Sequence, residues 1–316
     1  MNKKFTKVQI IVIALILILP FIFPDPYYLQ LFSMILMFSI YAISWNILAY
    51  SGQVSLGHAA FLGIGAYSSV LLVKNLGLPV LATIFIGPLF AALIGLGLGL
   101  LVLRLREWFL SMVTFGFSVI VQAIVVDDRM RFLTDGWNGL FAKPFVSSLF
   151  PYHQLLNYYI IAIITIVVYI SSSLIFNSRL GYALRAIEEN ETLAKISGIN
   201  ATYYKVIAFT ISTYLAGLSG AIYVHGITLF VSPEIFNIQN SFWPLIFTLA
   251  GGIKTTEGPI LGAFLIWLAW TELSRIASYY ALIGVGILLV IIIVFAPKGL
   301  YSLIFKIISN IRGKQT

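Results

Sequence analysis

The chain has no cysteine, and only 9% of its 316 residues are charged. The first absence excludes a disulfide framework, a cysteine-based zinc site and a thiol nucleophile. Histidine is scarce as well. His58, His153 and His225 are scattered along the chain, so no metal-binding or catalytic cluster is spelled out. A phosphate-cradling Gly-x4-Gly-Lys-Ser/Thr loop is also missing: the nearest approach, Gly251-Gly252-Ile253-Lys254-Thr255, has the wrong spacing. Asp and Glu are sparse inside the apolar runs, which counts against a carrier driven by ions moving through membrane-embedded charge.

What is present is apolar. Hydrophobic residues make up 60% of the chain and mean hydropathy is +1.00, with far less charge than the roughly 25% of a soluble domain. A bilayer core about 30 Å thick takes about 20 apolar residues as helix. Ten runs qualify: residues 8–23, 29–50, 59–73, 80–103, 108–126, 155–176, 206–223, 241–253, 260–277 and 281–296. The sequence therefore predicts an all-α integral membrane protein with about ten transmembrane helices. An odd number per half makes residues 8–126 and 155–296 two inverted five-helix halves of a single domain spanning 1–316.

Lys3, Lys4 and Lys7 precede the first run as in a secretory signal. That run ends in Pro24-Asp25-Pro26 without a small-x-small cleavage site, which predicts an uncleaved helix. Lys and Arg concentrate in cytoplasmic loops. With both termini cytoplasmic, the inside holds Lys3, Lys4, Lys7, Arg104, Arg106, Arg179, Arg185, Lys195, Lys205, Lys254, Lys298, Lys306, Arg312 and Lys314. The outside keeps Lys74, Arg129, Arg131, Lys143 and Arg275. The net charge of +8 is thus a topology signal and needs no nucleic-acid partner.

One long charged segment separates the spans: residues 177–205, "NSRLGYALRAIEENETLAKISGINATYYK". Leu180, Ala183, Leu184 and Ile187 fall at helical spacing, and Leu193, Ala194 and Ile196 repeat the pattern. Asn190 is placed to cap a second short helix, Glu191 suits its positive end, and Gly198 can end it. A solvated connector would be shorter; the length favours a docking surface for a soluble partner. Outside, residues 127–144 mix charges with turn residues and form a solvated loop long enough to receive a substrate-delivering protein.

Two runs are interrupted. "GQVSLGH" precedes the third, and the eighth is short, carries Pro244, and is followed by Gly251, Gly252 and Gly258. Broken spans in corresponding positions of inverted halves point to a translocation site, because backbone freed from helix pairing must line a cavity or be buried in protein. The expected path residues are Gly52, Gln53, Ser55, Gly57 and His58 with Gly251, Gly252, Thr255, Gly258 and Pro259. His58, without a second ionisable residue at similar depth, reads as a hydrogen-bonded structural histidine. Gly63, Gly217, Gly220 and Gly262 stand at small-xxx-small spacing and read as helix-packing positions, and Gly95, Gly97 and Gly99 read the same way.

"SGQVSLGHAAFLGIGAY" resembles the signature of permease subunits in ATP-binding cassette importers of the branched-chain amino-acid type. "LGYALRAIEENETLAKISGIN" resembles that family's cytoplasmic loop, and "LTDGWNGL", "AGLSGAIY", "LAGGIKTTEGPILGA" and "FAPKGL" stand in the expected order. Asp135 replaces a glycine more usual in the outer motif. The resemblance runs from about residue 44 to 300. It implies a non-enzymatic transport subunit of a bacterial inner (cytoplasmic) membrane, without a cofactor of its own. It implies as partners a second permease subunit, two cytoplasmic ATPase subunits that use the ATP, an extracytoplasmic substrate-binding protein and the lipid bilayer. The ATPase-coupling role carries over to Gly181, Arg185, Ala186, Glu188, Glu191, Ala194 and Gly198. The general importer loop, Glu-Ala-Ala-x-x-x-Gly, is matched here at Ala194 and Gly198, and Thr192-Leu193 interrupts it.

Two other classes remain open on sequence grounds, an autonomous ion-coupled amino-acid carrier and an integral-membrane enzyme. Within the importer class, the same permease pattern serves branched-chain amino acids and also urea or short amides. An apolar pocket discriminates one methylene by only about 1–3 kcal/mol, so most specificity is expected in the binding protein.

Overall fold

A computed structural model describes residues 7–102, 107–147, 149–303 and 306. Of the basic residues that set the expected orientation, Lys3, Lys4, Arg104, Arg106, Arg312 and Lys314, with the Lys7 side chain, lie outside the described residues. Five apolar helices come first: α1 (Lys7–Ile22), α2 (Pro26–Ala49), α3 (His58–Leu76), α4 (Val80–Val102) and α5 (Glu107–Val126). The loop that follows holds two 3-10 turns around the one-turn α6 (Arg131–Thr134), then β1 (Leu140–Phe141). Next come α7 (His153–Phe176), the short α8 (Arg179–Glu189) and α9 (Glu191–Ile196), and α10 (Ala201–Ile222), which runs on into a π-helical turn, Tyr223–Thr228. After β2 (Phe230–Val231) and a 3-10 turn, Pro233–Phe236, the chain closes with α11 (Ile238–Gly251), α12 (Gly258–Ala277) and α13 (Ala281–Phe295).

The helix α2 is the axis of the molecule. Asp25 caps it by accepting the Tyr27 N–H at 2.8 Å, and Pro26 opens it with its φ already helical. From Ile35 inward it is buried all round, and Ile40, Tyr41 and Ala42 are 0% exposed. A helix that is apolar on every face belongs in a protein core or in lipid; α2 takes the first place, and α13, whose Val290, Val294 and Phe295 stand exposed, fits the second. Around α2, the helices α3, α4 and α10 approach closely through small residues. A Cβ on Gly220 would collide with the Leu62 carbonyl, and one on Gly65 with the backbone of Gly217.

Among the described residues, seven segments are long and apolar enough to cross a membrane: Pro26–Ala49, His58–Leu76, Val80–Val102, Phe109–Val126, His153–Phe176, Ala201–Thr228 and Gly258–Phe295. The last contains both α12 and α13, joined by a 3-10 turn, Ser278–Tyr280. Each of the ten apolar runs lies mainly in helix among the described residues, but α1 and α11 fall short of that length, and α13, of 15 residues, reaches it only together with α12. The 14 residues of α11 rise about 21 Å, against the about 30 Å of a bilayer core. It starts beside the middle of α2: the Phe38 ring lies 6.4 Å from that of Trp243 and 5.3 Å from that of Phe247. One detail departs from an all-α chain. Residues of β1 and β2 pair antiparallel, Leu140 with Val231 and Phe141 with Phe230. Strands of two residues carry no periodicity for a sequence to reveal.

Candidate translocation and coupling site

After α2 the chain turns through Gly52, whose φ of 73° lies in the left-handed region open to glycine. Residues 53–57 are non-helical, yet their backbone groups find partners in protein. The Val54 carbonyl accepts from Ser111 Oγ at 2.8 Å, the Ser55 carbonyl from Trp45 Nε1 at 3.0 Å, and the Leu56 N–H donates to Thr114 Oγ1 at 3.1 Å. In lipid each unsatisfied group would cost several kcal/mol, so these bonds are what permits the break. Gln53 accepts from Ser51 Oγ at 3.2 Å. Gly57 sits so close to the Thr114 carbonyl that no Cβ fits. His58 opens α3 fully buried, its Nε2 within 3.2 Å of Ser44 Oγ and 3.3 Å of Ser212 Oγ. Neither Ser55 Oγ nor His58 Nδ1 has a protein partner.

The second break, residues 252–257, is held by α2 as well. Asn46 donates to the Thr255 carbonyl at 2.8 Å and accepts the Lys254 N–H at 3.1 Å, while the Tyr50 hydroxyl donates to the Lys254 carbonyl. Lys254 itself has φ 64°, a left-handed conformation costing about 1–3 kcal/mol outside glycine, and these bonds fix it. Thr255 Oγ1 bridges the turn, donating to the Gly252 carbonyl at 2.7 Å and accepting the Gly258 N–H at 3.0 Å. Gly251, Gly258 and Gly262 let α11 and α12 cross backbone to backbone: a Cβ on Gly251 would strike the Gly258 carbonyl, and one on Gly262 the Phe247 carbonyl. Pro259 lies buried in the first turn of α12.

The loop of residues 177–205 reaches the end of α2 and the second break. Asn190 caps α9 by accepting the Leu193 N–H at 3.0 Å, and Gly198, at φ 85°, ends it. On α8, Arg185 lies over the Tyr50 ring at 5.3 Å and donates to the Phe176 carbonyl at 3.3 Å, and Tyr50 stacks on Phe176 at 3.9 Å. Glu188 pairs with Lys254 at 2.6 Å. The loop is therefore bonded to the end of α2 and to the second break. Gly181 seats α8 against the Phe176 carbonyl, and Ala194 is buried with Ile187 and Ala201 while Ala186 packs beside them. Glu191 pairs with Lys195 at 2.8 Å and Lys205 at 2.6 Å. Partial burial pushes its carboxyl up, but the hydrogen bonds and charges of the two lysines outweigh this and hold it below the usual carboxylate range. Leu193 and Ile196 stand 60% and 78% exposed, two large apolar side chains on a helix outside the spans.

Of the packing glycines, Gly63 faces the Phe236 ring and Gly217 faces Ala91 and Pro88. Gly95 abuts Thr213, whereas Gly97 borders open space. Sequence reasoning paired residues 52–58 with 251–259 as matching breaks. The structure sets the start of α11, rather than its end, against the start of α3: the Ala59 N–H donates to Ser241 Oγ at 3.0 Å, and Tyr41 OH donates to the Asn240 carbonyl at 3.0 Å. Residues 251–259 join the first break indirectly, through Asn46 and Tyr50. Reasoning from sequence missed Ser44, Asn46, Ser212 and Ser241. Their one signal is that each is a polar residue within or at the edge of an apolar run, as Ser44 and Asn46 are in "AISWNILAY".

Above the start of α11 a cavity of about 470 Å³ opens between the middle of α2, residues 228–240 and α12. The three histidines stay apart, each with its own partners. His225 lies 2.7 Å from the Lys143 carbonyl and 3.0 Å from Ser69 Oγ, and His153 lies 3.3 Å from the Phe150 carbonyl.

Residues 27–296 match the family described as "Branched-chain amino acid transport system / permease component". This chain belongs to that family. The permease is similar to the high-affinity branched-chain amino acid transport system permease protein LivM of Salmonella typhimurium, 29% identical over 85% of this chain and 68% of that protein. The LivM of Escherichia coli is 30% identical over 79% of the permease and 64% of its own length. A probable LivM of Methanocaldococcus jannaschii is 24% identical over 64% and 59%. The permease thus spans about two thirds of the bacterial relatives and less of the archaeal one. No solved structure matches it.

Proposed function

We propose that the permease forms part of the membrane path of an ATP-driven importer of branched-chain amino acids in a bacterial cytoplasmic membrane. In this reading two inverted five-helix halves cross the membrane with both termini inside, the second permease subunit completes the path, two ATPase subunits dock on α8 and α9, and an extracytoplasmic protein delivers substrate. The observation that carries it is the chain of contacts from the loop to the breaks: Glu188 to Lys254, and Arg185 through Tyr50 to the Lys254 carbonyl. Closure of the ATPase pair would push α8 and α9, and this linkage passes the push to residues 50–57 and 252–257. Only a few kcal/mol are required to bias a two-state equilibrium. Gly52, Gln53, Ser55, Gly57 and His58 with Gly251, Gly252, Thr255, Gly258 and Pro259 then act as the joint about which the path opens.

Co-purification from native membranes tests this. A P-loop ATPase is expected to travel with the permease, and Ile196→Asp or Gly198→Arg is expected to release it and stop uptake. Ion-driven uptake of amino acids by the permease alone in liposomes would instead establish an autonomous carrier. Uptake of urea in place of leucine by the assembled transporter would replace the substrate while keeping the mechanism.

A further inference from the structure

Resting on the importer reading, we infer that the outer cavity is a binding site in this chain for a zwitterionic aliphatic amino acid. Glu234 receives the ammonium group, and Phe38, Trp243 and Trp267 receive the side chain. The volume of about 470 Å³ falls within the about 300–1,000 Å³ of small-molecule sites. Its lining has two unlike ends. At one, the Phe38 ring lies 4.3 Å from Trp267 and 6.4 Å from Trp243, the two indoles meet edge to face at 5.4 Å, and Met34 and Met37 extend the wall. At the other stand Glu234 and the carboxamides of Asn237 and Gln239.

The charge at that second end decides the class of ligand. No Lys or Arg lines the cavity, and Glu234 makes no salt bridge with any described residue. A lone carboxylate beside neutral carboxamides favours a cation and repels an anion, so a fatty acid or anionic lipid headgroup fits badly. An apolar wall opposite asks for an aliphatic tail. A leucine-like amino acid satisfies both ends, and Gln239 offers an amide to its carboxylate. The aromatic wall separates neighbouring aliphatic side chains only weakly, whereas a charge left without its partner is rejected more strongly. This chain therefore checks for the ammonium group and leaves the choice among leucine, isoleucine and valine to the delivering protein.

The absence of native cysteine permits a direct test. In the assembled transporter, Ser232→Cys places a thiol in the cavity lining, to be labelled from outside with a charged methanethiosulfonate. Leucine is expected to slow labelling, and 4-methyl-2-oxopentanoate, which is leucine without its ammonium, is expected to leave it unchanged. Adding Glu234→Gln is expected to raise the leucine concentration for half-protection by about fivefold, the upper value for an exposed ion pair. Trp267→Ala is expected to raise it for leucine more than for alanine. The inference is overturned if Ser232→Cys is not labelled, if leucine gives no protection, if the keto acid protects equally, or if Glu234→Gln changes nothing. ATP-driven leucine uptake by the unsubstituted transporter is read in parallel. Uptake without protection removes this site and keeps the importer; protection without uptake keeps the site and removes the importer.

Discussion

At its C-terminal end, α2 is tied to three other segments by side-chain hydrogen bonds, a stacked ring pair and a cation over an aromatic face. At mid-length, the same helix lines a cavity whose Glu234 carboxylate makes no salt bridge with any described residue. In the joint, freed backbone groups such as the Val54, Ser55, Lys254 and Thr255 carbonyls have partners, and several glycines exist because no Cβ fits. The cavity instead offers a carboxylate, Glu234, that makes no salt bridge with any described residue. Cross-bonding suits a segment that moves as a unit, and an incomplete lining suits one that receives a ligand. If that contrast holds, substitutions at the joint act on folding and on transmission, and substitutions at the cavity act on binding.

The largest expected effect is at the joint's crossing point. Gly258→Val forces a branched side chain against the Gly252 carbonyl and Thr255 Oγ1. Overpacking of this kind costs about 1–3 kcal/mol or more, so the yield of monodisperse protein after detergent extraction is expected to collapse. Gly97→Ala meets open space and is expected to leave extraction unchanged; equal behaviour of the two would show that the crossing is not close. Next comes His58→Ala, which strips Ser44 Oγ and Ser212 Oγ of a buried partner. A loss of about 1–3 kcal/mol is expected, read as a lowered melting temperature, and an unchanged melt would remove His58 from the structural frame.

Much of this joint was readable in advance and much was not, for a physical reason. Helices α2, α4 and α10 announce themselves because long, predominantly apolar runs have few other fates, and Asn190 signals its cap because the bond it makes is three residues away. The bonds that unite the joint are long-range: Asn46 with Lys254 spans 208 positions and Tyr41 with Asn240 spans 199. Nothing local marks such a pair. The cavity was invisible for the same reason, since α2, residues 228–240 and α12 each contribute only a part of its wall. Gly251 and Gly258 were expected beside the transport path; their positions between two backbones show how close packing and a broken path use the same residue type.

A smaller effect is expected where the loop meets the joint. Glu188→Lys puts two cations together in place of the 2.6 Å pair with Lys254. Both partners are partly exposed, so the pair is worth about 0.2–1 kcal/mol, and ATP-driven uptake is expected to fall by no more than about fivefold. Exchanging both charges, Glu188→Lys with Lys254→Glu, is expected to restore it. Failure of the exchange to rescue, with the fold intact, would mean that the push travels by another route.

The smallest effect concerns pH, and it sets the loop of α8 and α9 against the cavity most directly. Glu191 is held ionised by Lys195 and Lys205, with its carboxyl below the usual range. A carboxyl lowered in the folded state adds stability that is present above its unfolded value of about 4.3 and is lost as pH falls through the lowered value. Acidification below about pH 4 should therefore loosen α9 from the start of α10, where Lys205 lies. Hydrogen exchange of the α9 amides is expected to rise there in the unsubstituted protein and to be already raised and flatter with pH in Glu191→Gln. The side chain is 41% exposed, so the shift is modest and screened by salt. Exchange that rises equally in both proteins would mean that the loop is anchored by Ala194 and its apolar neighbours alone, and that the two lysines add nothing.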